Sequence, residues 1–265
     1  MKASLVMMNM ALEALQALGL KMPRPLIVLY TSDEEVGSPG SRSLIETLAG
    51  QCAYVLVLEP PLADGSLKTA RKGVGRFTIE IEGKAAHAGV APESGASAVV
   101  ELAHQVLRIQ ALNGASVGTT VNVGVVQGGT TANVVPARAV AEVDVRVSTQ
   151  TDAATIEREL HSLKPVTPGT RIKVAGRLSR PPMERTAAIA SLFARAREIG
   201  LELDQRLTEG STGGGSDGNF TAVLGVPTLD GLGALGDGAH AESEHIVIES
   251  LPPRAALLAA LLLNL

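Results

Sequence analysis

The segment "TSDEEVGSPGS", residues 31–41, sets Asp33, Glu34 and Glu35 side by side directly after the apolar run "PLIVLY". Like charges at that spacing repel, and nothing adjacent in sequence neutralises them. A second apolar run, "YVLVLEP", also ends in a carboxylate, Glu59. Ligands of open α/β sheets collect outside the carboxyl ends of the strands, so Glu35 and Glu59 are expected to meet at such an edge, with a cation offsetting their repulsion. Neighbours in an extended chain face opposite ways, which leaves one of Glu34 and Glu35 to bind a metal and the other to act as a base. Taken singly, either carboxylate reads as well as a solvated strand exit or a helix cap.

A zinc ion would also seek imidazole nitrogen. Of the five histidines, His104 and His161 fall inside helical patterns of ordinary packing, and His245 opens the segment "HIVIES" as a structural residue. His240, in "GDGAHAESEH", follows a strand and a glycine-rich turn, where a ligand is well placed. His87, in "GKAAHAGVAPESG", ends a strand at a loop shaped by glycine and proline. The loop "GSTGGGSDGNF" lacks the Lys-Ser/Thr ending of a P-loop. Its Ser216 or Asp217 is instead expected to cap a helix whose free N–H groups face an anion such as a substrate carboxylate.

Two architectures position these residues. Up to about residue 70 the chain alternates helix, strand "PLIVLY", helix "SRSLIETLAG" and strand "YVLVLEP", which predicts a parallel or mixed sheet covered on both faces. Residues 73–180 then read β-α-β-β-α-β, a ferredoxin-like unit complete in itself. The first style resumes from 181 to 265, with the helix "TAAIASLFARAREIG", the glycine loop, a strand "VPTLDGLG" and a closing helix. The expectation is an α/β domain, 1–72 and 181–265, interrupted by an inserted domain. At the start, Leu5, Met8, Leu12, Leu15 and Leu18 recur at helical spacing and predict a helix packed on a core, rather than a signal peptide.

Composition narrows the functions. The chain has 265 residues, 45% of them apolar, enough for a sizeable core. Its net charge of −4, with no Lys/Arg cluster, is not the footprint of a nucleic-acid binder. The apolar C-terminal stretch is too short to span a bilayer, so no membrane is expected as a partner. A lone cysteine, Cys52, excludes an internal disulfide and suits a reducing, cytoplasmic compartment.

The segments "SDEEVGS", "LEP", "KAAHAGVAPESGASA", "GGTTANVVPARAVAEVDVR", "GGGSDGNF" and "DGLGALGDGAHAESE" occur in this order. So ordered, they resemble the two-zinc exopeptidases and deacylases, a family that includes glutamate carboxypeptidases, acetylornithine deacetylases, succinyl-diaminopimelate desuccinylases and aminoacylases. "TGGGSD" and "KAAHAGVAPESG" bring it nearest to the bacterial glutamate carboxypeptidases. The resemblance implies zinc-dependent hydrolysis of the amide bond to a C-terminal amino acid, in a small peptide or N-acyl amino acid. It implies Glu34 as general base, Glu35 and His240 as ligands of one zinc and Glu59 as ligand of the other. It implies His87 as an oxyanion stabiliser reaching the partner subunit of a homodimer, and the inserted domain as dimerisation surface and lid. Arg146 with Asn133, and Gly214 with Ser216, are implied as substrate-binding groups.

The pattern also departs from the family. Members carry a His-x-Asp strand end upstream and an aspartate just before a Met-Lys-Gly stretch, whereas this sequence begins at that Met, with Ala3 where glycine is usual. Three of five expected ligands are present. The expectation is an N-terminally truncated, partial copy that binds zinc weakly, hydrolyses little or nothing alone, and leaves an apolar sheet edge uncovered. The alternative is a non-catalytic dimer that binds amino acids or peptides; a phosphate-binding, kinase-like protein is a third reading.

Overall fold

A computed structural model describes residues 2–265. In chain order the elements are α1 (Lys2–Ala17), α2 (Arg42–Ala49), β1 (Val55–Leu56), β2 (Leu67–Arg71), β3 (Gly73–Glu82), α3 (Ala98–Gln110), β4 (Thr120–Gly128), β5 (Arg138–Val147), α4 (Gln150–His161) and β6 (Arg171–Arg180). There follow α5 (Ala187–Glu202), β7 (Glu209–Thr212), α6 (Gly218–Val223), β8 (Thr228–Leu229), β9 (Gly236–Asp237), β10 (His245–Ile246) and α7 (Leu251–Asn264). Among the described residues no helix is long and apolar enough to cross a membrane. The chain forms two compact units: Lys72–Pro182 is one, and the segments up to Arg71 and from Met183 to Leu265 make the other.

The Lys72–Pro182 unit is an antiparallel sheet of order β4-β5-β3-β6. Strand β3 alternates strictly: Phe77, Ile79 and Ile81 are buried, while Arg76, Glu80 and Glu82 face water. That period of two turns one face of the sheet onto α3 and α4. Phe77 pairs with Val143 and Ile79 with Ala141 in register, and Leu102, Ile109, Ile156 and Leu160 of the two helices close the core. Ser97 and Thr149 start these helices, each accepting a backbone N–H from the first turn.

The other unit is built on short parallel pairings, β1 with β8 and β2 with β7. Its core joins α5 and α7 to Leu67, Leu229 and Leu232. Helix α1 packs on α7 through Met8, Ala11 and Leu15. The expected stripe is partly displaced: Leu5 is exposed, and Leu18 lies past the helix end, where Gly19 turns left-handed at φ 63.

Two sequence expectations fail here. The run Leu26–Tyr30 forms no strand, and "YVLVLEP" and "VPTLDGLG" shrink to the two-residue strands β1 and β8. A strand exists only where a neighbour receives its ladder bonds, and none of the backbone bonds among the described residues involves Leu26–Tyr30. Ile27, Val28, Leu29 and Tyr30 are consequently exposed.

Candidate functional site

The acidic run lies in a short turn rather than at a strand exit. Residues Glu34–Val36 make one turn of 3-10 helix, closed by Gly37 at φ 93. Asp33 does not face a ligand: one carboxylate oxygen accepts the N–H groups of Gly40 and Ser41, 2.7 and 3.0 Å away, and so ties the turn to the start of α2. Glu34 is half-buried and Glu35 is exposed.

The glycine loop, residues 213–217, joins β7 to α6 and is fastened to the acidic turn by Asp217. Its carboxylate accepts the Thr31 hydroxyl at 3.1 Å and the Ser38 hydroxyl at 2.5 Å. Ser38 is fully buried and left-handed, φ 57. Of the three left-handed residues other than glycine among those described, Ser38 and His240 (φ 65) both belong to this region. Such backbone costs energy and persists where surrounding contacts impose it, a pattern that clusters at functional sites. Within α6 the capping geometry differs from the sequence expectation. Asp217 makes no side-chain cap, while the buried Ser216 hydroxyl accepts the Gly218 N–H at 3.1 Å and donates to Asp230 at 2.6 Å. Ser216 thus points inward, beneath the loop. Gly213 and Gly214 face open space, with nothing within 4 Å of where a side chain would begin.

His240 comes to Glu35 across most of the chain, Nε2 3.8 Å from Oε2, with both side chains exposed. Glu59 does not join them. Among the described residues no three His, Cys, Asp or Glu side chains are grouped closely enough to hold a metal ion. The donor set present among the described residues is therefore one His–Glu pair, which does not fit a two-metal centre. Glu59, itself half-buried, lies instead in a charged cluster with the buried Lys68, Arg71 and Asp230. Its carboxyl is pushed above the usual range by burial first and by the Asp230 charge second, against the opposing pull of Arg71 and Lys68. Burial, and then Arg71, likewise lower Lys68, whose ammonium donates to the Pro60 carbonyl at 2.6 Å.

In the Lys72–Pro182 unit, His87 and Asn133 are brought together by backbone pairing: His87 bridges to Val134, and the Ala88 N–H donates to the Asn133 carbonyl at 2.9 Å. Both side chains are exposed. The Arg146 guanidinium forms a two-pronged pair with Asp144, two residues earlier on the same face of β5, at 2.8 and 3.0 Å.

Sequence reasoning did not single out Arg71, Asp230, Lys68 and Ser38. The signal available was a charge closing a short strand, as in "LKTAR" and "PTLD", since a buried charge requires a partner.

Residues 69–163 match the M20 peptidase dimerisation domain. Carboxypeptidase G2 of Pseudomonas sp. (strain RS-16) is 33% identical over 259 residues, covering 96% of this chain and 62% of its own length. Acetylornithine deacetylase of Myxococcus xanthus is 39% identical over 131 residues, 44% of this chain and 33% of that protein. The chain thus spans under two thirds of these relatives. Among solved structures, the aminopeptidase PepT of Bacillus cereus superposes with a TM-score of 0.81 at 25% identity, covering 99% of this chain and 70% of that one. The Bacillus subtilis YXEP protein, a dinuclear metal-binding peptidase of the M20 family, superposes at 0.73 and 17% identity, over 97% and 69%, and supports the fold.

Proposed function

Because this chain is a homologue of carboxypeptidase G2 and carries an M20 peptidase dimerisation domain, we propose that it supplies part of the machinery of a metal-dependent hydrolase cleaving the amide bond to a C-terminal amino acid. The observation that carries this reading is the approach of His240 to Glu35 beside Glu34. Amide cleavage needs a proton taken from water and later given to the leaving amine, and Glu34, half-buried next to the pair, is assigned both transfers. Glu35 and His240 are assigned one divalent cation, with zinc as the expected metal from the imidazole–carboxylate pair. We assign oxyanion stabilisation to His87, recognition of the substrate carboxylate to Arg146 with Asn133, and the open backbone face of the glycine loop around Gly214 to substrate binding. Ser216 supports that loop from beneath. The protein is assigned a homodimeric state, and its single cysteine suits a cytoplasmic location.

With one His–Glu pair and Glu59 apart from it, the 265-residue chain alone is expected to show little or no hydrolysis. The test is an assay of the purified chain with added Zn2+ on N-acyl-L-glutamates and folyl glutamates. Background rates agree with the proposal, and efficient turnover contradicts it. The absence of a three-donor group among the described residues favours a second reading, a dimeric binder of amino acids or peptides without hydrolysis. Under it, N-acetyl-L-glutamate binds equally well with and without Zn2+, whereas under the first reading Zn2+ strengthens binding.

A further inference from the structure

Besides the Asp217 bonds to Thr31 and Ser38, the glycine loop is anchored from below by charge. Arg71, at the end of β2, is 4% exposed in its side chain, and Asp230, just after β8, is fully buried. Arg71 Nε and Nη2 donate to the two Asp230 oxygens at 2.7 and 2.9 Å. The third nitrogen, Nη1, points the other way and donates to the carbonyls of Gly214 and Gly215 at 3.1 and 3.3 Å. From the opposite side the Ser216 hydroxyl donates to the same Asp230 carboxylate at 2.6 Å, and the Ser216 N–H donates to Asn219 at 2.8 Å. Three consecutive loop residues therefore rest on one buried ion pair.

We propose that Arg71 is a positioning residue for the glycine loop, fixing through Asp230 and Ser216 the backbone face that residues 213–215 offer to substrate. This rests on the assignment of that face to substrate binding made above. A planar guanidinium suits the task, because its fork engages a carboxylate with one edge while a nitrogen remains for a second acceptor. An ammonium has neither the fork nor the span. Glycine carbonyls are the right acceptors: residues without side chains have maximal backbone freedom, so an exposed triple-glycine turn needs an external tether to hold one conformation. Gly218 closes the arrangement, since a methyl group there would sit 3.0 Å from an Asp230 oxygen and 3.1 Å from the Ser216 hydroxyl.

The test is Arg71→Lys, which keeps the charge opposite Asp230 but removes the bridge to the loop, with Ser216→Ala as a second variant that leaves the ion pair intact. Two readouts are taken on the full chain: 15N relaxation of glycine-labelled protein, and titration with N-acetyl-L-glutamate. The expected result is a folded protein with increased mobility confined to the amides of Gly213, Gly214 and Gly215, and affinity lower by about tenfold for Arg71→Lys. A smaller loss is expected for Ser216→Ala. If Arg71→Lys does not fold, the same two readouts on Ser216→Ala decide. Variants with wild-type loop dynamics and wild-type affinity overturn the inference and leave the site reading standing. Wild-type protein that fails to bind the probe overturns the site reading, and this inference with it.

Discussion

Glu101 illustrates how single residues in this molecule carry structural weight. It is fully buried on α3, and its carboxylate accepts the N–H groups of Val166 and Thr167 and the Gln105 amide. Burial pushes the carboxyl up, but the Thr167 and Gln105 bonds outweigh it and hold it below its ordinary value. A carboxyl depressed on folding stabilises the native state above its unfolded pKa of about 4.3 and loses that contribution as pH falls toward the folded value. The Lys72–Pro182 unit is therefore expected to weaken in acid, and Glu101→Gln to cost about 1–3 kcal/mol at neutral pH and remove part of the acid dependence. Urea denaturation at pH 7 and about pH 3, below the unfolded pKa, checks both. For the buried Arg71–Asp230 pair, Arg71→Met strands a carboxylate and is expected to cost about 3–5 kcal/mol; Arg71→Met combined with Asp230→Leu should recover much of that loss.

At the scale of elements, legibility in the sequence followed the self-sufficiency of each segment. The ferredoxin-like unit was readable because its pattern and its partners lie in one stretch: β3 alternates apolar and polar, Ser97 and Thr149 mark helix starts, and its four strands pair with one another. Leu26–Tyr30 was misread for the converse reason. Its composition is that of a strand, but a strand is a relation to a neighbour, and among the described residues none makes a backbone bond to it. Four exposed apolar residues, Ile27, Val28, Leu29 and Tyr30, make a template for association between chains. Ile27→Lys combined with Leu29→Lys is expected to reduce aggregation markedly without lowering the thermal midpoint, as read by light scattering and calorimetry. The edge strand β4 is the second open element. Val125 and Val126 are exposed, and an open groove of about 600 Å3 runs beside Val99, Leu102 and Val106 of α3. If the dimer forms along this edge, Val126→Lys yields monomers in analytical ultracentrifugation, whereas an unchanged dimer places the interface elsewhere.

For the whole molecule, the order of motifs carried more information than any motif alone. The spacing of Glu35 and His240 says nothing of their meeting, and the meeting depends on how "GDGAHAESE" returns past β9 to the acidic turn. What the sequence did not disclose is the layer beneath: Asp217 spanning the acidic turn and the glycine loop, and Arg71 and Asp230 under that loop. Those residues bond across the fold between segments with no common pattern, so local reading has no period or spacing to detect. The proposed function rests on His240 and Glu35 forming a partial metal site. Its most direct test is calorimetric titration of Zn2+ into the wild-type chain and into His240→Ala. About one weak site per chain, abolished in His240→Ala, is the expected result, and two tight sites, or binding unaffected by the loss of His240, would contradict the assignment.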